Sequence, residues 1–277
     1  MKTPKRLEPL VHDGLIDEVL RQLMSGKEAS IFVVRSQGVV RCAKVYKDAA
    51  TRSFQARAEY QEGRLERSSR RARAMAKGTK FGRKEMEEAW QSAEVDALYR
   101  LADAGVRVPK PHLFDHGVLL MELVTDADGE VAPRLIDLNL TADEALTYHA
   151  ILMRQIVKML CAGLIHGDLS EYNVLVGKEG PVIIDLPQAV MAAGNNNAKK
   201  LFLRDVDAMA SCLGKFAPVL KNARYGKEIW DLYEKGHLNP DTKLTGRFDR
   251  VEKAADVGAV LQEIDDAREE MLRRKLG

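Results

Sequence analysis

Apolar and polar positions alternate with a period of two through much of the first half of the chain, and with a helical period through most of the second. Ile31-Phe32-Val33-Val34 is a β-branched run, Gln37-Gly38 a tight turn, and Val39 to Tyr46 alternates again, so an antiparallel meander is predicted. Upstream, Leu15 to Met24 is ambiguous but fits a short helix running into a strand, which the turn at 25–30 would join to the meander. An apolar stripe through Met86, Ala89, Trp90, Ala93, Ala97, Leu98 and Leu101 predicts a helix over 84–104, on which Glu94 lies beside the stripe. Pro109 and Pro111 mark an extended linker over 106–112. Leu113 to Val124 reads as a hairpin, and the Gly/Pro/Asp-rich connector 125–133 is the expected boundary between two lobes. Thr141 and Glu144 form a capping box that opens a long amphipathic helix to about Ala162. Further helices are expected at 198–220, 224–235 and 249–275. Between them, Asn173-Val-Leu-Val and Val182-Ile-Ile predict two short buried strands joined by the turn from Gly177 to Pro181.

With 277 residues there is length for one two-lobed domain, and a net charge of +2 points to no partner by itself. Cys42, Cys161 and Cys212 are far apart in apolar contexts, which predicts reduced core residues of a cytoplasmic protein and neither a disulfide framework nor a metal site. The opening Met-Lys-Thr-Pro-Lys-Arg has no apolar signal core. Charges interrupt every apolar run before it reaches membrane-spanning length, so no membrane association is expected.

The chemistry gathers in residues 164–186. Asp168, Asn173 and Asp185 stand in loops or at a strand end between apolar runs, which would hold two carboxylates and an amide at the rim of one small sheet. Phosphoryl transfer needs a carboxylate to orient the attacking hydroxyl and take its proton, together with hard oxygen ligands for Mg²⁺. Asp168 fits the base, and Asn173 and Asp185 fit the metal. Lys44 sits mid-strand among apolar neighbours, where burial is costly unless an anion meets it. One hairpin earlier, the turn Ser25-Gly26-Lys27-Glu28-Ala29 offers backbone N–H groups that would bring phosphates within reach of that lysine.

From 52 to 84 eleven Lys and Arg face only Glu59, Glu62 and Glu66. Apolar residues are too sparse for a core there, and a flexible basic loop is expected over 48–84. It is either a solvated charge run or a patch for RNA or an acidic protein over 52–84. Ser68 and Ser69, among arginines, are the expected sites of autophosphorylation, with Ser53 and Thr79 also in the segment.

Ser25 to Ala29, Ala43-Lys44, Glu94, Met121-Glu122, the run His166-Gly167-Asp168-Leu169-Ser170-Glu171-Tyr172-Asn173 and Ile184-Asp185 occur in the order and spacing of the RIO family of atypical protein kinases. Phe202 to Val206 resembles the family's next helical motif. The resemblance spans roughly 15–215 and is greatest to the members without an N-terminal winged helix. It implies an α+β, two-lobed protein-kinase-like fold of the trimmed RIO type: a tail at 1–14, an N-lobe over 15–124 with an antiparallel sheet and one long helix, and a mainly helical C-lobe over 125–277 ending in a charged helix. Gly26 stands alone where ordinary protein kinases have three glycines, Leu-Pro follows Asp185 in place of Phe-Gly, and no Ala-Pro-Glu follows.

Carried over residue by residue, the resemblance implies that Lys44 meets the ATP α- and β-phosphates with Glu94 as its ion-pair partner. Ser25, Gly26, Lys27, Glu28 and Ala29 would cover the phosphates. Met121 would be the gatekeeper, with the main chain of Glu122 and Val124 on the adenine. Asp168 would be the base, and Asn173 and Asp185 would hold Mg²⁺ or Mn²⁺. The activity implied is ATP-dependent phosphorylation of protein serine or threonine, on a substrate the sequence does not identify. An ATPase switch with a phospho-aspartate intermediate in ribosome assembly, a small-molecule phosphotransferase of the aminoglycoside or choline kinase type, and a pseudoenzyme scaffold working through the basic loop are the other readings.

Overall fold

A two-residue hairpin turn that follows the twist of its strands needs positive φ at both central positions. The chain meets that demand twice, at Gln37-Gly38 (52° and 76°) and at His116-Gly117 (47° and 71°). In the computed structural model, which describes residues 3–47 and 80–248, these turns join β2 (Ala29–Ser36) to β3 (Val39–Tyr46) and β4 (Pro111–Asp115) to β5 (Val118–Glu122). With β1 (Glu18–Ser25) they form one antiparallel sheet in the order β1-β2-β3-β5-β4. The ambiguous stretch is thus a strand from Glu18 on. As an edge strand with two register irregularities against β2, it lacks the regular alternation that would have identified it.

Period-two geometry divides the sheet's side chains between two environments. Phe32, Val34, Ala43, Val45, Val118 and Leu120 pack with Leu7, Leu10 and Ile16 into one cluster. The tail expected at 1–14 is therefore corrected in part: Glu8–His12 forms a short helix, α1, because Leu7 and Leu10 have an apolar sheet face to cover. The opposite face carries Cys42, Lys44 and Tyr46, and Tyr46 joins the main core.

The long helix α2 runs Lys80–Asp103, starting ahead of the predicted 84. Helix α3 (Ala142–Cys161) opens on the expected capping box, with Thr141 Oγ1 accepting from Glu144 N–H and Glu144 Oε2 accepting from Thr141 N–H. The short β6 (Leu164–Ile165) and β9 (Val190–Met191) pair with each other, and β7 (Val174–Gly177) and β8 (Gly180–Ile183) form the predicted hairpin. The helix expected at 198–220 is shorter: α4 covers Ala198–Leu213, and Pro218 opens a separate 3₁₀ turn to Asn222 before α5 (Tyr225–Glu234). Helices α3, α4 and α5 share the main core with α2, and the architecture is α+β, a sheet lobe followed by a helical one.

Most of the basic segment 48–84, including Ser68 and Ser69, and the helix expected at 249–275 lie outside the described residues. Among the described residues no helix is long and apolar enough to cross a membrane. Cys42 and Cys212 are buried as expected, and burial pushes the Cys42 thiol up to about 12. Cys161, the last residue of α3, is exposed, contrary to the expectation of a core position.

Candidate active site

Strand alternation puts Lys44 on the face opposite Ala43 and Val45, where α2 passes. Glu94 projects from α2 one turn before Leu98 and is only 4% exposed. Lys44 Nζ donates to Glu94 Oε1 at 2.5 Å and to Asp185 Oδ1 at 3.0 Å. Burial alone would pull the lysine's pKa down, but the two carboxylates outweigh it and hold it well above its ordinary value. For Asp185 the signs reverse. Burial pushes its carboxyl up, while Lys44, with His166 and Arg134 behind it, brings it below the usual range.

Asp185 follows β8 with φ of 65°, a left-handed backbone that is uncommon for a non-glycine residue. Two bonds fix its approach, Ile183 N–H to the Arg107 carbonyl and Ile184 N–H to the Asn173 carbonyl, each 3.0 Å. The same turn anchors the loop 166–173. His166 accepts Asp168 N–H at Nδ1 (3.3 Å), so its Nε2 is the protonated nitrogen and donates to the Ile184 carbonyl at 3.1 Å. Asn173 Nδ2 donates to the Asp168 carbonyl at 2.9 Å. The Asp168 side chain is exposed at the centre of this loop.

Asp205 of α4 does the buried part of this work. Its carboxylate accepts Gly167 N–H at 2.7 Å and Leu169 N–H at 3.0 Å, while Arg204 donates to the Gly167 carbonyl. Burial raises the Asp205 pKa, an effect His166 and the two N–H bonds oppose. Neither Asp205 nor His166 has a role in the sequence reading. The signal was an aspartate inside the stripe Leu201, Phe202, Val206, Met209, where an unpaired charge would not be tolerated.

The turn Ser25–Ala29 closes with Gly26 N–H on the Ala29 carbonyl at 2.9 Å. Lys47 Nζ reaches across to Ser25 Oγ (2.9 Å) and the Gly26 carbonyl (2.6 Å), and Lys47 N–H donates to the Glu28 carbonyl. A Cβ added at Gly26 would meet only Ala29 O, at 3.6 Å, so the fold itself does not require glycine there. At the other end of the cleft, the Glu122 carboxylate takes both arms of Arg107 (2.6 and 2.8 Å) and Lys110 N–H, and Glu122 N–H donates to the Lys110 carbonyl. The Val124 carbonyl accepts from Ala132 N–H. Between these ends a cavity of about 30 Å³ is lined by Lys44, Glu94, Leu98, Met121, Ile184 and Asp185, among others. A wider groove of about 810 Å³ runs along the outside of α4 past Lys199, Leu203 and Ala208. It lacks the buried lysine and paired carboxylates, which makes the smaller space the candidate site.

Residues 30–225 match the RIO domain family. The chain belongs to the RIO family. It is similar to the RIO-type serine/threonine-protein kinase Rio1 of Haloferax volcanii, with 33% identity over 73% of this chain and 65% of that protein. It is likewise similar to serine/threonine-protein kinase rio1 of Schizosaccharomyces pombe (31%, over 68% and 37%) and to the Rio1 protein of Methanocaldococcus jannaschii (33%, over 69% and 61%). The matched part thus spans between about a third and two thirds of these RIO relatives. Every residue named for the site lies within or close to the matched stretch.

Proposed function

We propose that this RIO-family chain transfers the γ-phosphate of ATP to serine or threonine hydroxyls of a protein. The observation that carries the reading is the meeting of Lys44 with both Glu94 and Asp185, next to a loop that presents Asp168 and Asn173. Lys44 holds the α- and β-phosphates, and the turn Ser25 to Ala29 covers them, the bare Gly26 backbone leaving room for close approach. Met121 closes the back of the adenine site, whose edge meets the Glu122 carbonyl and Val124 N–H. The exposed Asp168 carboxylate orients the acceptor hydroxyl and takes its proton as the new O–P bond forms and the bond from the γ-phosphorus to the bridging oxygen breaks, releasing ADP.

The donor set suits a divalent cation. Asn173 commits its Nδ2 to the Asp168 carbonyl, which leaves Oδ1 as a hard ligand beside the Asp185 carboxylate. With only these two protein ligands, Mg²⁺ or Mn²⁺ would be taken up together with the phosphates. Such a cation, when bound, neutralises charge on the phosphates.

Incubation with γ-labelled ATP, Mg²⁺ and a generic protein substrate tests the reading. Label is expected on protein, and Asp168→Asn is expected to slow its appearance by about 10²–10⁴-fold with ATP affinity nearly intact. Label released only as free phosphate would favour the ATPase reading, and transfer at the wild-type rate by the variant would remove Asp168 from the base role. In the same proposal the protein works in the cytoplasm. The charge of residues 52–84 supports contact there with RNA or a ribosomal particle, to be tested by the salt dependence of binding.

A further inference from the structure

One cation of the cleft has no assigned task. The connector after Val124 returns along the hairpin, with Val176 N–H on the Pro133 carbonyl at 2.8 Å and Arg134 bridging to Leu175, two residues beyond Asn173. The Arg134 carbonyl then accepts Asp137 N–H at 3.0 Å, and the next residue, Leu135, is buried. The arginine is therefore mounted on a fixed backbone on the C-lobe side, close to the metal-ligand candidates.

Its side chain crosses to the other lobe. Among the described residues the guanidinium has a single hydrogen-bond acceptor, Met24 Sδ on β1 at 3.4 Å, just before the turn that begins at Ser25. A guanidinium carries five donors in a rigid fork suited to carboxylate or phosphate, whereas a thioether is a weak acceptor. No carboxylate of the described residues pairs with it, although its charge is felt at Asp185. Lys44 and Lys47 differ: Lys44 is engaged by Glu94 and Asp185, and Lys47 by Ser25 and Gly26. An arginine left with five donors and one poor acceptor, between the strand that leads into the phosphate turn and the strand that follows Asn173, is matched to an anion that enters the cleft.

We infer that Arg134 is a nucleotide-binding residue that donates to the phosphate chain of ATP from the C-lobe side, opposite the turn Ser25 to Ala29. The inference rests on the ATP-dependent reading above and adds a contact to it. Binding draws the guanidinium off Met24 onto a phosphate oxygen, so the arginine counts phosphates and is indifferent to the base.

The experiment measures affinity calorimetrically for ATP, ADP, AMP and adenosine, with Mg²⁺, in the wild type, Arg134→Met and Arg134→Lys. Methionine keeps an apolar side chain of similar reach against Met24, and lysine keeps the charge without the fork. The expected result is a loss of about tenfold or more for ATP in Arg134→Met, a smaller loss for AMP and none for adenosine, with Arg134→Lys recovering part of the ATP affinity. Equal losses for all four ligands, adenosine included, would make Arg134 a ribose contact or a structural support, and unchanged ATP affinity would remove it from the site; either overturns the inference while the kinase reading stands. A wild-type chain that binds none of the four would overturn the kinase reading itself and this inference with it.

Discussion

The two walls of the cleft are built on different principles. On the C-lobe side, the loop 166–173 is held from within by two buried groups, Asp205 on two backbone N–H groups and His166 on the Ile184 carbonyl, and at its surface by the half-buried Asn173 on the Asp168 carbonyl. On the N-lobe side, the turn Ser25–Ala29 is exposed over most of its length and is held mainly by Lys47 and a hydroxyl contact between Ser25 and Ser30. In the proposed reaction the difference would mean that the groups meant for the acceptor hydroxyl are positioned before any ligand arrives, whereas those meant to cover the phosphates would take their final positions with the ligand.

If that contrast is correct, breaking the buried wall costs most. Asp205→Ala removes one acceptor from two buried N–H groups and should lower unfolding free energy by about 3 kcal/mol and phosphoryl transfer by at least roughly a hundredfold. Urea denaturation and a labelled-ATP assay read the two effects. A loss of stability with full activity would show that the loop holds its geometry without the clamp.

The helical lobe should also be the acid-sensitive one. His149 of α3 is buried against Tyr225, with ring centroids 5.0 Å apart, and burial lowers its pKa from 6.5 to about 4. Between those values the unfolded chain binds a proton that the folded chain refuses, so this residue's contribution to stability is complete above pH 6.5 and falls as pH drops to 4. The full loss is about 3 kcal/mol. In His149→Phe, which keeps a ring against Tyr225, stability followed by denaturation at pH 7.5 and 4.5 should fall less than in the wild type; equal falls would assign the acid sensitivity to other groups.

The smallest effect is expected on the exposed wall. Lys47→Ala should raise the KM for ATP about threefold while changing unfolding free energy by less than about 0.5 kcal/mol. A large stability loss would mean that the phosphate turn is as firmly built as the catalytic loop, and the contrast between the walls would disappear.

How much of this was legible in the sequence follows the same division. The strands β2, β3, β7 and β8 and the capping box of α3 were readable because local signals, alternation and a fixed side-chain spacing, decide them. Lys44, Asp168, Asn173 and Asp185 also stood out, each a polar residue in an apolar context, and the fold brings Lys44 onto Asp185 and Asn173 onto the Asp168 carbonyl, while their roles belong to the proposal above. Less readable was whatever depends on distant partners. Edge strand β1 with its irregular register left open where a short helix would give way to the strand, and α1 looked like a tail because Leu7 and Leu10 find their apolar face only once the sheet exists. Asp205 and Arg107 act on backbone groups 36 to 38 and on a carboxylate 15 positions away, beyond the reach of any periodicity.

Arg107 carries a mechanical consequence. Its guanidinium grips Glu122 where the chain leaves the sheet, its N–H bonds Gln155 Oε1 of α3 at 2.8 Å, and its carbonyl receives the N–H of Ile183, the last residue of β8. Three polar groups of one residue thus tie both lobes together at the proposed adenine end, while at the proposed phosphate end, among the described residues, the lobes meet through Lys44 on Asp185 and the thioether contact from Arg134. Both of those contacts end on side chains that an incoming phosphate would compete for, whereas the Arg107 ties use backbone groups and a doubly bonded carboxylate, so in the proposed reaction Arg107 would be the fulcrum on which the cleft opens.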